Sequence, residues 1–208
     1  MGLYNKYILP KFLDCACSSK PVLYQRKKII PYAEGEILEV GIGSGINIPY
    51  YNAEKVNKIW GLDPSKELLS LAQNKAGTSK LDISFINSGA ERIPLPDSQI
   101  DTVVVTYTLC TIPVIAEAII EIKRVLRPSG KLVFCEHGEA PDDNIRKWQQ
   151  RVNPVWKKIA GGCNLNRPIP KIIKESGFEI KQIDQMYLPS TPKIAGYNYW
   201  GFAIPSAL

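Results

Sequence analysis

Residues 38–45 read Leu-Glu-Val-Gly-Ile-Gly-Ser-Gly, and Asp63 follows eighteen residues after the last of these glycines. Ile37, Leu38 and Val40 make a short apolar run that suits a buried strand, and the run carries one acid, Glu39. It passes straight into glycines on alternate positions, Gly41, Gly43 and Gly45, and then toward a helix. A glycine turn at a strand end lets a ligand lie against bare main chain. The spacing then separates two nucleotide-type ligands. A dinucleotide cradle needs G-x-G-x-x-G, whose third glycine would fall at position 46, where this chain has Ile46. A pyrophosphate site is disfavoured.

The pattern E-x-G-x-G-x-G, with an acid at the end of the following strand, resembles motif I of the class I S-adenosylmethionine (SAM) methyltransferases. That resemblance implies roles. Gly41, Gly43 and Gly45 would face the methionine part of SAM, Glu39 would help to bind its amino group, and Asp63 would take the two ribose hydroxyls. The stretch SGAERIPLPDSQIDTVVV, residues 88–105, is similar to the same family, with Ala90 and Glu91 at the adenine position. Thr106, at the end of the fourth strand, is placed with them on the cofactor side.

A length of 208 residues with 45% apolar and 22% charged composition suits one soluble globular domain. Lys6, Lys11 and Asp14 interrupt the leading apolar runs, and no stretch reaches the ~18 apolar residues of a membrane span. Met1-Gly2 is followed by Lys6 where a myristoylation signal wants Ser or Thr. Five scattered cysteines suit reduced, cytoplasmic usage. Cys15-x-Cys17 lacks zinc-ligand spacing, so no metal is expected. The net charge of +6 is uneven: residues 1–34 carry six Lys/Arg against two acids, and residues 141–181 carry nine against four. Basic segments flanking the core suit an anionic substrate or membrane surface, or simply a solvated helix face.

The apolar pattern predicts leading helices over 3–33, with Tyr4, Tyr7, Ile8, Phe12 and Leu13 at helical spacing, then Val22 to Ile30. Strands are expected near 58–63, 83–87, 101–106, 131–135, 178–186 and 197–203. Helices are expected near 47–53, 64–76, 114–126 and 170–176. By resemblance this alternation implies an α/β fold: a Rossmann-like, seven-stranded class I methyltransferase sheet with helices on both faces and the last strand antiparallel. The whole chain, 1–208, is read as one domain, with 1–34 a helical lid over the cofactor and 141–170 a helical insertion on the acceptor side. In that insertion a helix from Asp142 restarts at Asn153-Pro154 and carries an apolar stripe of Trp148, Val152, Val155, Trp156 and Ile159. The stripe either packs on the core and roofs the acceptor pocket or lies on lipid headgroups.

The narrower stretches EHGEAPDD and WQQRVNPVWKKIAGGCNLNRP resemble the thiol methyltransferases associated with membranes in animals and small bacterial phospholipid N-methyltransferases. The animal proteins carry a hydrophobic N-terminal anchor that this sequence lacks, so a cytoplasmic monomer with at most peripheral contact with anionic membrane is expected. Methyl transfer from a sulfonium needs alignment and exclusion of water more than side-chain chemistry. A base would still help a thiol or amine acceptor. His137, the sole histidine, either serves as that base, holds the acceptor or is a structural hydrogen-bonder, and Glu136 either orients a ring, holds the acceptor or sits exposed at a strand end. On the substrate side stand Tyr107 and Cys110, the latter as a small apolar wall, with Trp148, Trp156, Asn164, Asn166 and Arg167 by resemblance only. The expected activity is transfer of a methyl group from SAM to sulfur or nitrogen of a small-molecule or lipid-like acceptor. The alternatives are a SAM-binding protein without turnover and, last, a nucleic-acid methyltransferase. Residues 106–111 read TYTLCT rather than the N/D-P-P-Y type signature, so no nucleic-acid partner is expected.

Overall fold

The computed structural model describes residues 17–206. The stripe from Tyr4 to Leu13, and Cys15, lie outside them. The strands are β1 (Gly35–Val40), β2 (Val56–Leu62), β3 (Ile83–Ile86), β4 (Ile100–Thr106), β5 (Leu126–His137), β6 (Phe178–Tyr187) and β7 (Tyr197–Pro205). They form one sheet in the order β3-β2-β1-β4-β5-β7-β6. β1 to β5 pair in parallel, and β7 runs antiparallel to both β5 and β6. This is the Rossmann-like methyltransferase sheet expected from the sequence. The order reverses between β1 and β4, and the crevice beyond their carboxyl ends is where ligands of open α/β sheets bind.

The helices are α1 (Lys20–Ile29), α2 (Lys66–Ala76), α3 (Ile115–Val125), α4 (Asp143–Ile159), α5 (Ile169–Glu175) and α6 (Lys193–Gly196). Strand alternation distributes them over two faces. Leu38, Val40, Val103, Val105, Leu132 and Phe134 face one way and pack with Ile119 and Ile122 of α3 and Ile169 and Ile173 of α5. Ile37, Val104 and Val133 face the other way, against Ile29 and Ile30 at the end of α1. Such double burial is why β4 reads as an almost unbroken β-branched run.

Three expected boundaries change. Between Gly45 and β2 there is no α-helix, only a 3₁₀ turn over Ile48–Tyr50, because Pro49 and an Asn52 side chain accepting from the Glu54 N–H turn this short connection quickly into the strand. β5 begins at Leu126, opposite Ile100, and bulges before regular pairing of Lys131 with Thr102; the Pro128-Ser129-Gly130 punctuation conceals that start. α4 runs unbroken through Pro154 instead of restarting there. The proline removes one helical donor, while Asn153 Oδ1 accepts from the Leu165 N–H at 2.8 Å and ties the helix to the returning chain.

Candidate active site

Where β1 ends, the backbone turns left-handed at Gly41 (φ 72°), Gly43 (57°) and Gly45 (75°). A Cβ at Gly41 would lie 2.3 Å from Thr108 Oγ1, whereas one at Gly43 would meet nothing nearer than a carbonyl oxygen at 3.9 Å. Gly41 is thus required for close approach of β1 to the segment after β4, and Gly43 offers open backbone. At the tip of β2, Asp63 accepts hydrogen bonds from the N–H groups of Gly43 (3.0 Å) and Ser65 (2.9 Å). Burial pushes its carboxyl pKa up against the pull of those two N–H groups. The second acid is therefore attached directly to the glycine turn.

Glu39 points to the α1 side, where it is fully buried and accepts from Asn47 Nδ2 (2.8 Å) and Tyr51 Oη (2.7 Å). Asn47 and Thr106 in turn accept from the Arg26 guanidinium of α1 at 2.9 and 2.6 Å. Arg26 is 4% exposed, its charge also lies 5.0 Å over the Tyr107 ring, and its Nε has no partner among the described residues. Burial raises the Glu39 carboxyl to about 7 despite these donors. A carboxyl raised in this way stabilises the fold when protonated. That contribution is complete below the ordinary 4.5 and is lost as pH rises through about 7, a loss of about 3 kcal/mol. Urea unfolding between pH 5 and 8 should show wild-type stability falling, and Glu39→Gln should remove that share of the slope.

On the other side of the switch point, Tyr107 takes a positive φ of 55° and donates its hydroxyl to Asn198 at 2.7 Å. Glu136 is fully buried, and its two oxygens accept the N–H groups of Thr108 (2.7 Å), Leu109 (3.0 Å) and Cys110 (3.4 Å). His137 follows it at the sheet edge, with Nε2 3.1 Å from Cys163 Sγ. These edges and α1 enclose one cavity of about 650 Å³. Its wall includes Gly41, Gly43, Asp63, Ala90, Glu91 and Thr106 toward one side of the sheet, and Tyr107, Cys110, His137, Trp156 and Cys163 toward the other, with Arg26 between.

Residues 38–134 match a family described as a methyltransferase domain. The human thiol S-methyltransferase TMT1B is 31% identical over 192 residues, covering 86% of this chain and 77% of that protein. The chain belongs to the class I SAM-dependent methyltransferases. A phosphatidylethanolamine N-methyltransferase from Cereibacter sphaeroides is 30% identical over 105 residues, 50% of this chain and 51% of the relative. A SAM-dependent methyltransferase structure from Aquifex aeolicus superposes with a TM-score of 0.64 at 16% identity, covering 94% of this chain and 98% of that one.

The cofactor of this methyltransferase is SAM, and the cavity suits it: bare glycine backbone, a carboxylate at the tip of β2 and the buried Arg26, whose Nε is unpartnered among the described residues, all line it. Several residues read from the sequence stand elsewhere. Glu39 does not line the cavity and reaches it only through Asn47, Thr106 and Arg26. Glu136 is buried rather than exposed and is also absent from the cavity wall. Asn164 donates to the carbonyls of Cys110 and Gly162, both at 2.9 Å, and Arg167 donates to those of Leu109 and Ile112; both brace the loop after β4 from behind. Trp148 is 56% exposed, with Arg151 over its ring. The stripe on α4 is in fact two. Gln149 and Trp156 turn inward, while Trp148, Val155 and Ile159 remain outside. Arg26, Asn47, Asn198 and Cys163 were given no role from the sequence: Cys163 lies in the stretch 148–168 that carries a resemblance, but each of the four acts through a partner distant in the chain.

Proposed function

We propose that this methyltransferase transfers the methyl group of SAM to the sulfur of a small thiol. The reading is carried by the makeup of the cavity's acceptor side, where Cys110, His137, Cys163 and Trp156 present soft, weakly polar groups and no carboxylate. Such a wall suits an apolar thiol better than a cationic amine, which would seek an acid there. The similarity to the human thiol S-methyltransferase supports the same choice. SAM, when bound, supplies an electrophilic methyl on sulfur. Asp63 would bind the ribose hydroxyls, Ala90 and Glu91 would flank the adenine, Arg26 would meet the methionine carboxylate, and α1 would exclude water as a lid. A thiol of pKa ~8.5 must lose its proton before attack, and His137 is the group on that side able to accept it near neutral pH. With labelled SAM, small alkyl thiols should yield product at least tenfold faster than primary amines or phosphatidylethanolamine. Product from an amine alone would overturn the assignment.

One observation further supports acceptors that partition into lipid. Trp148, Val155 and Ile159 are 56%, 64% and 52% exposed along one side of α4, bordered by Lys147, Arg151 and Lys158. An exposed apolar stripe with a cationic margin along one flank matches the chemistry of an anionic bilayer surface. Among the described residues no helix is long and apolar enough to cross a membrane, so contact through α4 would be peripheral. Co-sedimentation with phosphatidylglycerol vesicles at low salt should retain the wild type and lose a Trp148→Ala/Val155→Ser variant. Equal retention of both would remove this surface from consideration.

A further inference from the structure

Cys110, His137 and Cys163 bring two sulfurs and one imidazole nitrogen within 4.8 Å of one another. They arrive from three different segments: the loop after β4, the end of β5 and the turn after α4. The main chain of each is held in place, while His137 Nδ1 is buried without a hydrogen-bond partner among the described residues. Glu136 accepts from the Cys110 N–H, and Asn164 donates twice to the Cys110 carbonyl, from its backbone N–H and its Nδ2, each at 2.9 Å. Gly161 and Gly162, at φ 60° and 93°, fold the chain back beyond α4 so that Cys163 returns to Cys110. His137 is held by antiparallel pairing with Asn198.

The geometry points to a soft divalent cation site, of the kind zinc occupies, with Cys110 Sγ, His137 Nε2 and Cys163 Sγ as ligands. Tetrahedral zinc with ordinary bond lengths spaces two sulfurs about 3.8 Å apart and a sulfur and a nitrogen about 3.6 Å apart. The His137 to Cys163 separation of 3.1 Å and the limit of 4.8 Å on the whole set bracket those values. Two thiolates and an imidazole select zinc over magnesium or calcium, which prefer oxygen. All three residues line the cavity, which leaves room for a fourth ligand to enter from it. Three protein ligands with one open position is the pattern of a catalytic rather than a structural zinc.

This rests on the thiol reading and deepens it. On loading, Cys110 and Cys163 release their thiol protons to water. An acceptor R–SH filling the fourth position releases its own proton to water and remains as a metal-held thiolate, with no change in oxidation state. His137 is then a ligand, and the cation takes over the task of lowering the acceptor's pKa.

The test titrates chelator-treated protein, kept reduced, with Zn²⁺ against a chromophoric chelator, and with Co²⁺ by absorbance. The expected result is about one Zn²⁺ per chain at or below micromolar Kd, and for Co²⁺ a thiolate charge-transfer band with tetrahedral visible bands that shift on adding 2-mercaptoethanol. Cys110→Ser and Cys163→Ser should each weaken Zn²⁺ binding at least a hundredfold. His137→Gln serves the same comparison where a cysteine variant fails to fold by circular dichroism. Substoichiometric zinc in the wild type, or equal zinc in wild type and variants, overturns the site. S-Adenosylhomocysteine binding to the metal-free protein is measured alongside. If it binds and zinc does not, the metal site alone is lost; if folded protein binds neither, the methyl-transfer reading falls with it.

Discussion

Asp63→Asn weakens S-adenosylhomocysteine binding about a hundredfold and shifts the melting temperature at pH 7.5 by no more than about 3 °C. The two halves of that expectation come from one geometry. The carboxylate stands at the tip of β2 in the cavity wall, with each oxygen already accepting one backbone N–H, from Gly43 and from Ser65. Each oxygen keeps a further lone pair, enough for the two hydroxyls of a ribose, and bonds to a charged acceptor contribute about 1.5–3 kcal/mol apiece. An amide loses one of the two acceptors and the charge, which gives the hundredfold. In the free protein the same change leaves one of the two N–H groups, of Gly43 or Ser65, without its acceptor, and that cost is offset by the loss of a buried charge. Burial raises the Asp63 pKa, so holding it ionised costs stability that a neutral side chain recovers. A loss of binding that tracked a loss of stability would mean that Asp63 merely holds the glycine turn. Calorimetric titration and thermal melts on the same sample separate the two.

The parts of this fold legible in the sequence were those in which neighbouring residues act together. Residues 38–45 carry strand, acid and turn in one stretch, and Asp63 directly follows the strand paired with β1. The doubly buried β4 announces itself by composition. What stayed hidden depends on register between distant segments. Arg26 was one of several basic residues on a helix, and only the approach of α1 to the sheet shows that it is buried against Asn47 and Thr106. In α4, Trp148 and Trp156 belong to one apolar pattern in the sequence, yet eight residues is more than two helical turns, and packing sends one outward and the other to the cavity. Cys163 falls in the stretch 148–168, but its pairing stayed hidden, because its partners His137 and Cys110 come from elsewhere at the sheet edge and no local spacing joins them.

Glu136→Ala lowers stability by about 4 kcal/mol, or roughly 10 °C in Tm for a chain of this size, whereas Glu136→Gln costs about 1–2 kcal/mol and keeps thiol methylation within threefold of wild type. Glu136 sits beside the only histidine, which makes it an obvious candidate for acid–base work, but its oxygens serve the main chain. Oε1 accepts from Thr108 and Leu109, and Oε2 accepts from Cys110. Truncation leaves three buried N–H groups without partners, at about 1–3 kcal/mol each, partly offset by removal of a buried charge. Gln retains the two bonds to one oxygen and loses only the third. That oxygen keeps the loop over Gly41 in place, since Thr108 packs where a Cβ of residue 41 would be. If Glu136 instead moved a proton in the reaction, the Gln variant would fold normally and lose at least a hundredfold in kcat. Urea melts together with single-turnover methyl transfer distinguish a buried clamp, which moves stability and spares the chemical step, from a base, which does the reverse.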